Sequence, residues 1–423
     1  MDISLTSNKD STLLNTLWQS DISNPFKYKI LTNFPNGSRT FTRVYPLAGS
    51  TQTTPTSSQV EIQYQIPKVM LLQDMVHKIT ITTSAAGTEG GNVIKDGGEI
   101  GMFIFSSQRL TARGKTICQT DPYHTQVRAR LANFSESTGI SKLTNAVWNS
   151  NLSTVTGAPA STPLTFMAPF YNTFSEKTCM FLDTQWLEQL QLNCIVESTT
   201  NLNCERTIAS ATFELYCFFR CLDTETITAV RASNFDPARI SSWLFTDSYT
   251  EATQAITNGN TSTSITLKNK YVASSTSFFP ITTYASSTAG GAFKKALSSG
   301  TAGIITSFDF QASGFYIFSG VPVGVLQYDE MRRYGKSNMT CTSSGTLANV
   351  GTPFDIKTIY WSELADRSCN SMALAYYSLG QPILTVYHTD PGATTFSLIV
   401  THEVLSFINF DPTNGSIEIM RSS

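Results

Sequence analysis

The chain has 423 residues, 41% hydrophobic and only 14% charged, with a formal net charge of −2. That length exceeds one ordinary core and implies two domains of roughly 200 residues each. The charge argues against direct nucleic-acid binding: no Lys/Arg run exceeds two residues, and neutralising several phosphates takes a basic patch or arm.

The opening MDISLTSNKDSTLL has no basic start followed by an apolar run, so no signal peptide is expected. No window reaches the ~20 apolar residues of a membrane span. Ser11–Trp18 is a short helix candidate. Val60–Leu72 reads as a strand, with Val60, Ile62, Tyr64 and Ile66 alternating with polar residues and Pro67 marking an edge or a bend. His77–Thr83 is a second strand, and a Gly-rich loop over 87–98 leads into Ile100–Phe105. Arg113-Gly114-Lys115 has the composition of a hairpin tip returning through Thr116–Cys118. Ala132–Pro163 is a long polar loop with helical potential at Ile140–Val147, and loops of that length are usually functional or exposed. Leu164–Tyr171 and Leu182–Val196 follow as strands. Ala211–Ile227, ATFELYCFFRCLDTETI, alternates through Phe213, Leu215 and Cys217 before Phe218 and Phe219 make both faces apolar.

Ala229–Ile240 reads as the linker. Beyond it, Ile265–Tyr271 and Phe278–Tyr284 are strand candidates, and Gly303–Phe310 with Gly314–Val321 forms a hairpin. Two small-residue or polar loops, Ala285–Gly303 and Ser337–Gly351, flank that hairpin and the segment after it. Ile356–Trp361, Met372–Tyr377, Ile383–His388, Phe396–Val404 and Ile417–Met420 complete the strands. The segment Thr394–Asn409, TTFSLIVTHEVLSFIN, opens with the same small-Thr-Phe-x-Leu run as Ala211–Leu215. Each half thus ends in the same kind of long apolar strand. Seven or eight strands per half and few helices imply an all-β chain of two tandem eight-stranded antiparallel jelly rolls, over residues 1–232 and 233–423. A propeller would need four or more similar blades, and no such period is present.

Gly98–Cys118, Met167–Glu197 (MAPFYNTFSEKTCMFLDTQWLEQLQLNCIVE), the run FELYCFFRCLDTETITAVRAS, Ile359–His388 and the closing FSLIVTHEVLSFINFDPTNGSIEI resemble, in order, segments of double jelly-roll major capsid proteins. That family includes adenovirus hexons, the coats of tailless membrane-containing phages and polinton-type viruses. The resemblance implies a virion-shell protein synthesised in host cytoplasm. It would form a homotrimer whose six barrels make a pseudo-hexagonal capsomer tiling an icosahedral shell. It further implies contacts with neighbouring capsomers, a separate penton or minor capsid protein and a possible internal membrane. The alternative reading is a two-domain β-sandwich lectin or receptor-binding spike.

Candidate chemistry is sparse. The histidines are His77, His124, His388 and His402, and surface or loop positions are expected for them. A cupin-type metal site needs at least two histidines and a carboxylate converging from neighbouring strands of one barrel. His388 with His402-Glu403 could sit on adjacent strands, yet no His-x-His pair accompanies them. His402-Glu403 does not start an HExxH motif, because Ser406 holds its last position. The glycines at 87–98 and the run AGGAFKK at 289–295 lack the phosphate-loop spacing. Asp183 with Glu188, or Glu363 with Asp366, cannot be placed face to face as a glycosidase pair. No GxSxG elbow occurs, and a cysteine nucleophile would need a histidine partner. No catalytic, cofactor-binding or metal residue is therefore assigned. The eight cysteines show no CxxC pair and read as reduced, mostly buried thiols.

Overall fold

Two hairpins set two hundred residues apart give the frame of the molecule. In the first, β4 (Phe105–Ala112) returns as β5 (Lys115–Thr120). In the second, β14 (Ile305–Ala312) returns as β15 (Phe315–Pro322). Both turns are two residues with positive φ: Arg113 (49°) and Gly114 (77°), then Ser313 (51°) and Gly314 (81°). This is the primed turn whose twist matches that of the strands, and its second place requires glycine. Each hairpin then runs into a 12-residue helix, α1 (Pro122–Asn133) after the first and α2 (Val323–Tyr334) after the second.

The computed structural model describes residues 38–47, 58–83, 103–133, 163–170, 182–185, 187–199, 208–225, 227–228, 241–282, 305–334, 339–341, 347–349, 356–361, 374–391, 396–411 and 416–421. The remaining strands of the first half are β1 (Ser38–Val44), β2 (Val60–Gln65), β3 (Leu71–Thr83), β6 (Pro163–Pro169), the two-residue β7 (Leu182–Asp183), β8 (Gln191–Val196) and β9 (Ile208–Cys221). They form two antiparallel sheets, β1-β9-β3-β6 with β7 on β3, and β2-β8-β4-β5. The second half contributes β10 (Ser241–Thr250), β11 (Gln254–Ile256), β12 (Ser262–Thr266), β13 (Val272–Thr282), β16 (Met339–Cys341), β17 (Leu347–Asn349), β18 (Lys357–Tyr360), β19 (Leu374–Ala375), β20 (Ile383–His388), β21 (Phe396–Asp411) and β22 (Ser416–Arg421). Its main sheets are β10-β21-β13-β18 and β12-β20-β14-β15.

Leaving aside β7 in the first half and β11, β16, β17, β19 and β22 in the second, which lie off the main sheet paths, both halves have the order 1-8-3-6 in one sheet and 2-7-4-5 in the other. Each half is therefore a jelly roll, and the second repeats the first strand for strand. The inward sides of each sheet pair meet in a core. Ile62, Tyr64, Ile79, Leu192, Phe213, Leu215 and Cys217 fill the first, and Phe278, Phe308, Phe310, Leu384, Val386, Phe396 and Leu398 the second.

Several expectations are corrected. Val60–Leu72 is not one strand: it breaks at 66–70, after which β3 begins and runs on to absorb His77–Thr83. Pro67 has no N–H for a ladder and its ring restricts the preceding residue, which accounts for the break. The strand at Ile265–Tyr271 stops at Thr266, and Met372–Tyr377 is a two-residue strand followed by a single 3-10 turn at Tyr376–Ser378. The strand pattern does not give β1, β10, β11 or the helices α1 and α2, and β16 pairs with β17 inside the polar loop expected over Ser337–Gly351. The helix candidates at 11–18 and 140–147, the Gly-rich loop at 87–98, the linker with the 232/233 boundary, the loop at 285–303, the Lys294-Lys295 pair and the carboxylates Glu363 and Asp366 lie outside the described residues.

Candidate assembly surfaces

The two barrels meet in a seam built from the β5–α1 corner of the first and the outer face of the β10-β21-β13 sheet of the second. Asp121 opens α1. Its Oδ1 accepts the His124 amide at 2.7 Å, and Pro122 takes the first helical position, where a missing N–H costs nothing. The other oxygen, Oδ2, accepts the Thr250 hydroxyl of β10 at 2.6 Å, so one carboxylate both caps the helix and ties the barrels. Alongside, the Gln119 amide donates to Asp247 Oδ1 (2.9 Å) and the Ser248 hydroxyl donates to the Gln119 carbonyl (2.9 Å). Further along α1, Arg128 donates to Glu403 of β21 at 2.8 Å, with both side chains almost wholly out of solvent. The rings of Tyr123 and Phe279 meet at 6.2 Å. Phe245 of β10 and Ile408 of β21 join the first barrel's core cluster. A buried ion pair in such a contact fixes geometry more than it adds stability.

The repeat leaves two counterpart surfaces that this seam does not cover. One belongs to the first barrel: β9 there corresponds to β21, and β1 to β10. On β21 the outward residues Ile399, Thr401 and Glu403 are buried. On β9 the matching Tyr216, Phe218 and Arg220 are only half-buried, and Phe41 on β1 is 64% exposed. The Phe41 ring lies 6.0 Å from Phe218 and 6.4 Å from Tyr216, while the Arg39 guanidinium sits 5.0 Å over Phe218. The other surface is the β15–α2 corner. Residues Pro122 and His124–Arg128 of α1 are buried, whereas on α2 Val325 and Tyr328 are exposed, as are Phe315 and Tyr316 at the start of β15.

No family model matches the chain, and no curated protein matches its sequence. Solved structures do match. The PBCV-1 virus capsid aligns at TM-score 0.64 and 11% identity over 94% of this chain and 99% of that one. The Faustovirus major capsid protein aligns at 0.59 and 10% identity, covering 90% of this chain and 92% of its own. The Sputnik virophage structure aligns at 0.55 and 12%, covering 93% and 91%. The fold is the double jelly roll. Nearly complete coverage of both chains, with the strand orders above, extends this to both barrels.

Within the double jelly roll the histidines are not at the surface, which corrects the expectation for them. All four are buried, His77 and His402 completely. His77 lies in the first core between Tyr64 and Phe105, with Nε2 3.0 Å from Gln108 Oε1. Burial lowers it to about 3 despite that bond, so it is neutral. Its Nε2 is also 3.8 Å from Cys194 Sγ, the cysteine–histidine contact that the sequence could not reveal. A nucleophilic pair needs a depressed thiol and solvent access. Here burial pushes the Cys194 thiol well up, and neither residue reaches the surface.

His388 and His402 do not share a pair of adjacent strands: β20 and β21 belong to different sheets. His388 bonds the Thr263 hydroxyl (2.9 Å) and the Thr389 carbonyl (2.9 Å). His402 Nε2 is 3.2 Å from Glu251 Oε1, and its Nδ1 is 2.9 Å from the Thr276 hydroxyl, which also takes the Tyr376 hydroxyl and the Trp361 indole N–H. Burial depresses His402, and Glu251 only partly offsets it. Burial alone would raise Glu251, but the bond to His402 and the amides of Lys268 and Asn269 hold it below the usual carboxylate range. The ring is thus neutral and donates from Nε2 to a carboxylate. Asp183 is buried and accepts the Gln185 amide, whereas the exposed Glu188 pairs with Arg113 at 2.8 Å. Among the described residues no three His, Cys, Asp or Glu side chains converge on a metal-sized site, and no helix is long and apolar enough to cross a membrane.

Proposed function

We propose that the protein is the major coat subunit of an icosahedral virion, acting as a homotrimer whose six barrels form a pseudo-hexagonal capsomer. One observation carries the reading. A single chain folds into two jelly rolls of identical strand order, joined side by side through a polar, ion-paired seam. Two like barrels on one chain give a threefold assembly a nearly sixfold outline, and such an outline tiles a facet. The resemblance of fold to the PBCV-1 capsid and the Faustovirus major capsid protein supports the same role.

The chemistry agrees with a structural role. The buried Cys194–His77 contact and the His402–Glu251 pair are sealed in cores and tuned toward neutral imidazole, so they stabilise rather than react. The absence of any Lys/Arg run longer than two fits a shell whose inner face meets a membrane or separate internal proteins rather than the genome. A separate penton or minor protein would close the vertices. Light scattering of the purified chain tests the reading. Three chains of 46.4 kDa give a particle of about 139 kDa, and negative-stain images at high concentration should show hexagonal arrays or shells. A monomer at every concentration, binding glycans on an array, would replace this reading with that of a lectin or spike.

A further inference from the structure

The second barrel encloses a chain of hydrogen bonds in which every donor and acceptor can be assigned. Glu251 ends the chain: its Oε1 accepts the amides of Lys268 and Asn269, each at 2.8 Å, and lies 3.2 Å from His402 Nε2. A carboxylate only accepts, so Nε2 carries the ring hydrogen and Nδ1 offers a lone pair. Nδ1 therefore accepts the Thr276 hydroxyl at 2.9 Å. With its hydrogen committed, the Thr276 oxygen accepts the Trp361 indole N–H at 3.0 Å and the Tyr376 hydroxyl at 2.7 Å. One hydrogen given and two taken is all that a hydroxyl can do. We propose that this chain is an acid-sensitive latch: a proton taken up at His402 Nδ1 expels the Trp361 indole N–H from Thr276 and loosens the β15 strand that the indole holds.

The count of hydrogens forces the change. A protonated Nδ1 donates to Thr276, whose oxygen then meets three donors with two lone pairs. Its own hydrogen can turn to the Tyr376 oxygen, but one donor is still left over. Tyr376 is 1% exposed and lies edge-on to the imidazole at 5.0 Å, so it cannot leave. Trp361 is half-buried just past β18, and its indole can turn toward water, where an unpaired N–H is satisfied. The indole stacks on Phe318 of β15, with centroids 5.9 Å apart, and meets Phe310 of β14 at 5.3 Å. Strand β15 is an edge, paired with β14, and Phe318 and Val321 are what it packs on the core. Moving the indole therefore removes much of its anchor.

The surroundings leave Nδ1 as the place for the proton. Besides Glu251, the ring faces Tyr249 of β10 at 6.1 Å, with Tyr271 behind it, and Tyr376. Strand β13 carries no charged residue. Lys357 lies two residues along β18 from Ile359 on the same side, and Glu330 of α2 is buried too. Arg128 and Glu403 pair on the opposite face of β21. Burial keeps the proton off His402 until the pH is below 6.5, and Glu251 offsets this only in part.

The latch lies within one chain and is independent of the coat reading. Tryptophan emission and acrylamide quenching of the full-length protein, taken from neutral pH to about 4 and corrected with Trp361→Phe, test it. Quenching of Trp361 should rise about twofold or more, reversibly and with a midpoint below 6.5, while circular dichroism keeps its β signal. His402→Gln keeps a donor for Glu251 but takes up no proton, so the transition should vanish. His77→Gln, in the other barrel, should leave it unchanged. Thr276→Val removes the shared hydroxyl and should make Trp361 quenchable at every pH, which decides the matter even where His402→Gln does not fold. A flat Trp361 signal in wild type overturns the latch, as does one that changes only together with loss of the β signal. A wild-type transition surviving in His402→Gln or in Thr276→Val overturns it equally, and none of these outcomes bears on whether the chain trimerises.

Discussion

The outer face of β21 and the outer face of β9 occupy the same place in two copies of one fold, yet they have opposite surroundings. On β21 the outward side chains are apolar, hydrogen-bonded or charge-paired and closed off by the neighbouring barrel: Ile399 is 0% exposed and Glu403 4%. On β9 the outward row is Glu214, Tyr216, Phe218 and Arg220, with Phe41 and Arg39 beside it, half-open to solvent. The inward rows of the two strands, by contrast, are interchangeable in kind, with Phe213, Leu215 and Cys217 against Phe396, Leu398 and Val400. Core chemistry has been held while outer chemistry has diverged. A repeat evolves this way when the fold must stay the same and each face must know its own partner.

The largest effect expected lies in the closed seam. Arg128→Ala removes one member of a pair buried on both sides and takes the Arg128 charge from the Glu403 carboxylate, at a cost of about 3–5 kcal/mol. Replacing both, Arg128→Met with Glu403→Leu, should recover most of that loss. Urea unfolding followed by tryptophan fluorescence reads both. If the single variant costs less than about 1 kcal/mol, the seam is not a desolvated contact.

Next come the cores, which the comparison requires to be equivalent. Leu215→Ala and Leu398→Ala each delete a wholly buried side chain at matched places in the two barrels. Each should cost about 2–5 kcal/mol, depending on how far the surrounding cavity relaxes. Calorimetry should assign each loss to its own barrel's transition if the barrels unfold separately. A large difference between the two would mean that one core is looser despite the shared topology.

How much of this was legible in the sequence depends on which face a strand shows to what. Strands β8 and β9 alternate cleanly because one face is a dry core, and the period of two gave them away. The Arg113-Gly114 turn was readable because only a few residues tolerate positive φ. The same strand was missed in both barrels, β1 (SRTFTRV) and β10 (SSWLFTDSYT). Both are edge strands, and the outer side chains of β10 serve the barrel-to-barrel seam. On β10, Ser248 and Thr250 are polar yet bonded across the seam, so burial does not follow hydrophobicity. The helix α1 did carry a signal, Asp121-Pro122 as cap and first position, which the 3.6 period does not reinforce because residues 122–128 are mostly buried and the sequence lacks an amphipathic stripe. The Cys194–His77 contact and the Arg128–Glu403 pair join residues 117 and 275 positions apart, which no local pattern encodes.

A smaller effect comes from pH. His77 has an ordinary value of 6.5 when unfolded and about 3 when folded. Between those values the unfolded chain binds the extra proton, so its contribution is complete above 6.5 and is lost as pH falls toward 3. The slope is about 1.4 kcal/mol for each pH unit. His402 is depressed in the same direction and places a similar acid sensitivity in the second barrel. His77→Gln should lower stability at neutral pH and flatten the dependence between 6.5 and 4. A slope unchanged by that substitution would mean that the ring is already protonated in the folded barrel.

The smallest effect sharpens the comparison most, because it uses one fold position twice. Phe41 pairs with Phe218 on the bare face, and Thr250 pairs with Thr401 on the covered one. Thr250→Val keeps the shape but takes a hydroxyl from Asp121 Oδ2 inside the seam, which should cost a single chain about 1–3 kcal/mol. Phe41→Ser removes far more surface, yet that surface already faces water in the isolated chain. Its effect there should stay within about 0.5 kcal/mol. Association of chains through this face would reverse the order, since Phe41 would then be the buried member. Measuring both variants by urea unfolding, first below and then above the concentration at which wild type associates, should show Phe41→Ser crossing from neutral to damaging while Thr250→Val stays constant. If Phe41→Ser is equally damaging in the lone chain, the face is not bare, and the asymmetry between the barrels is internal to the fold rather than a record of what docks on it.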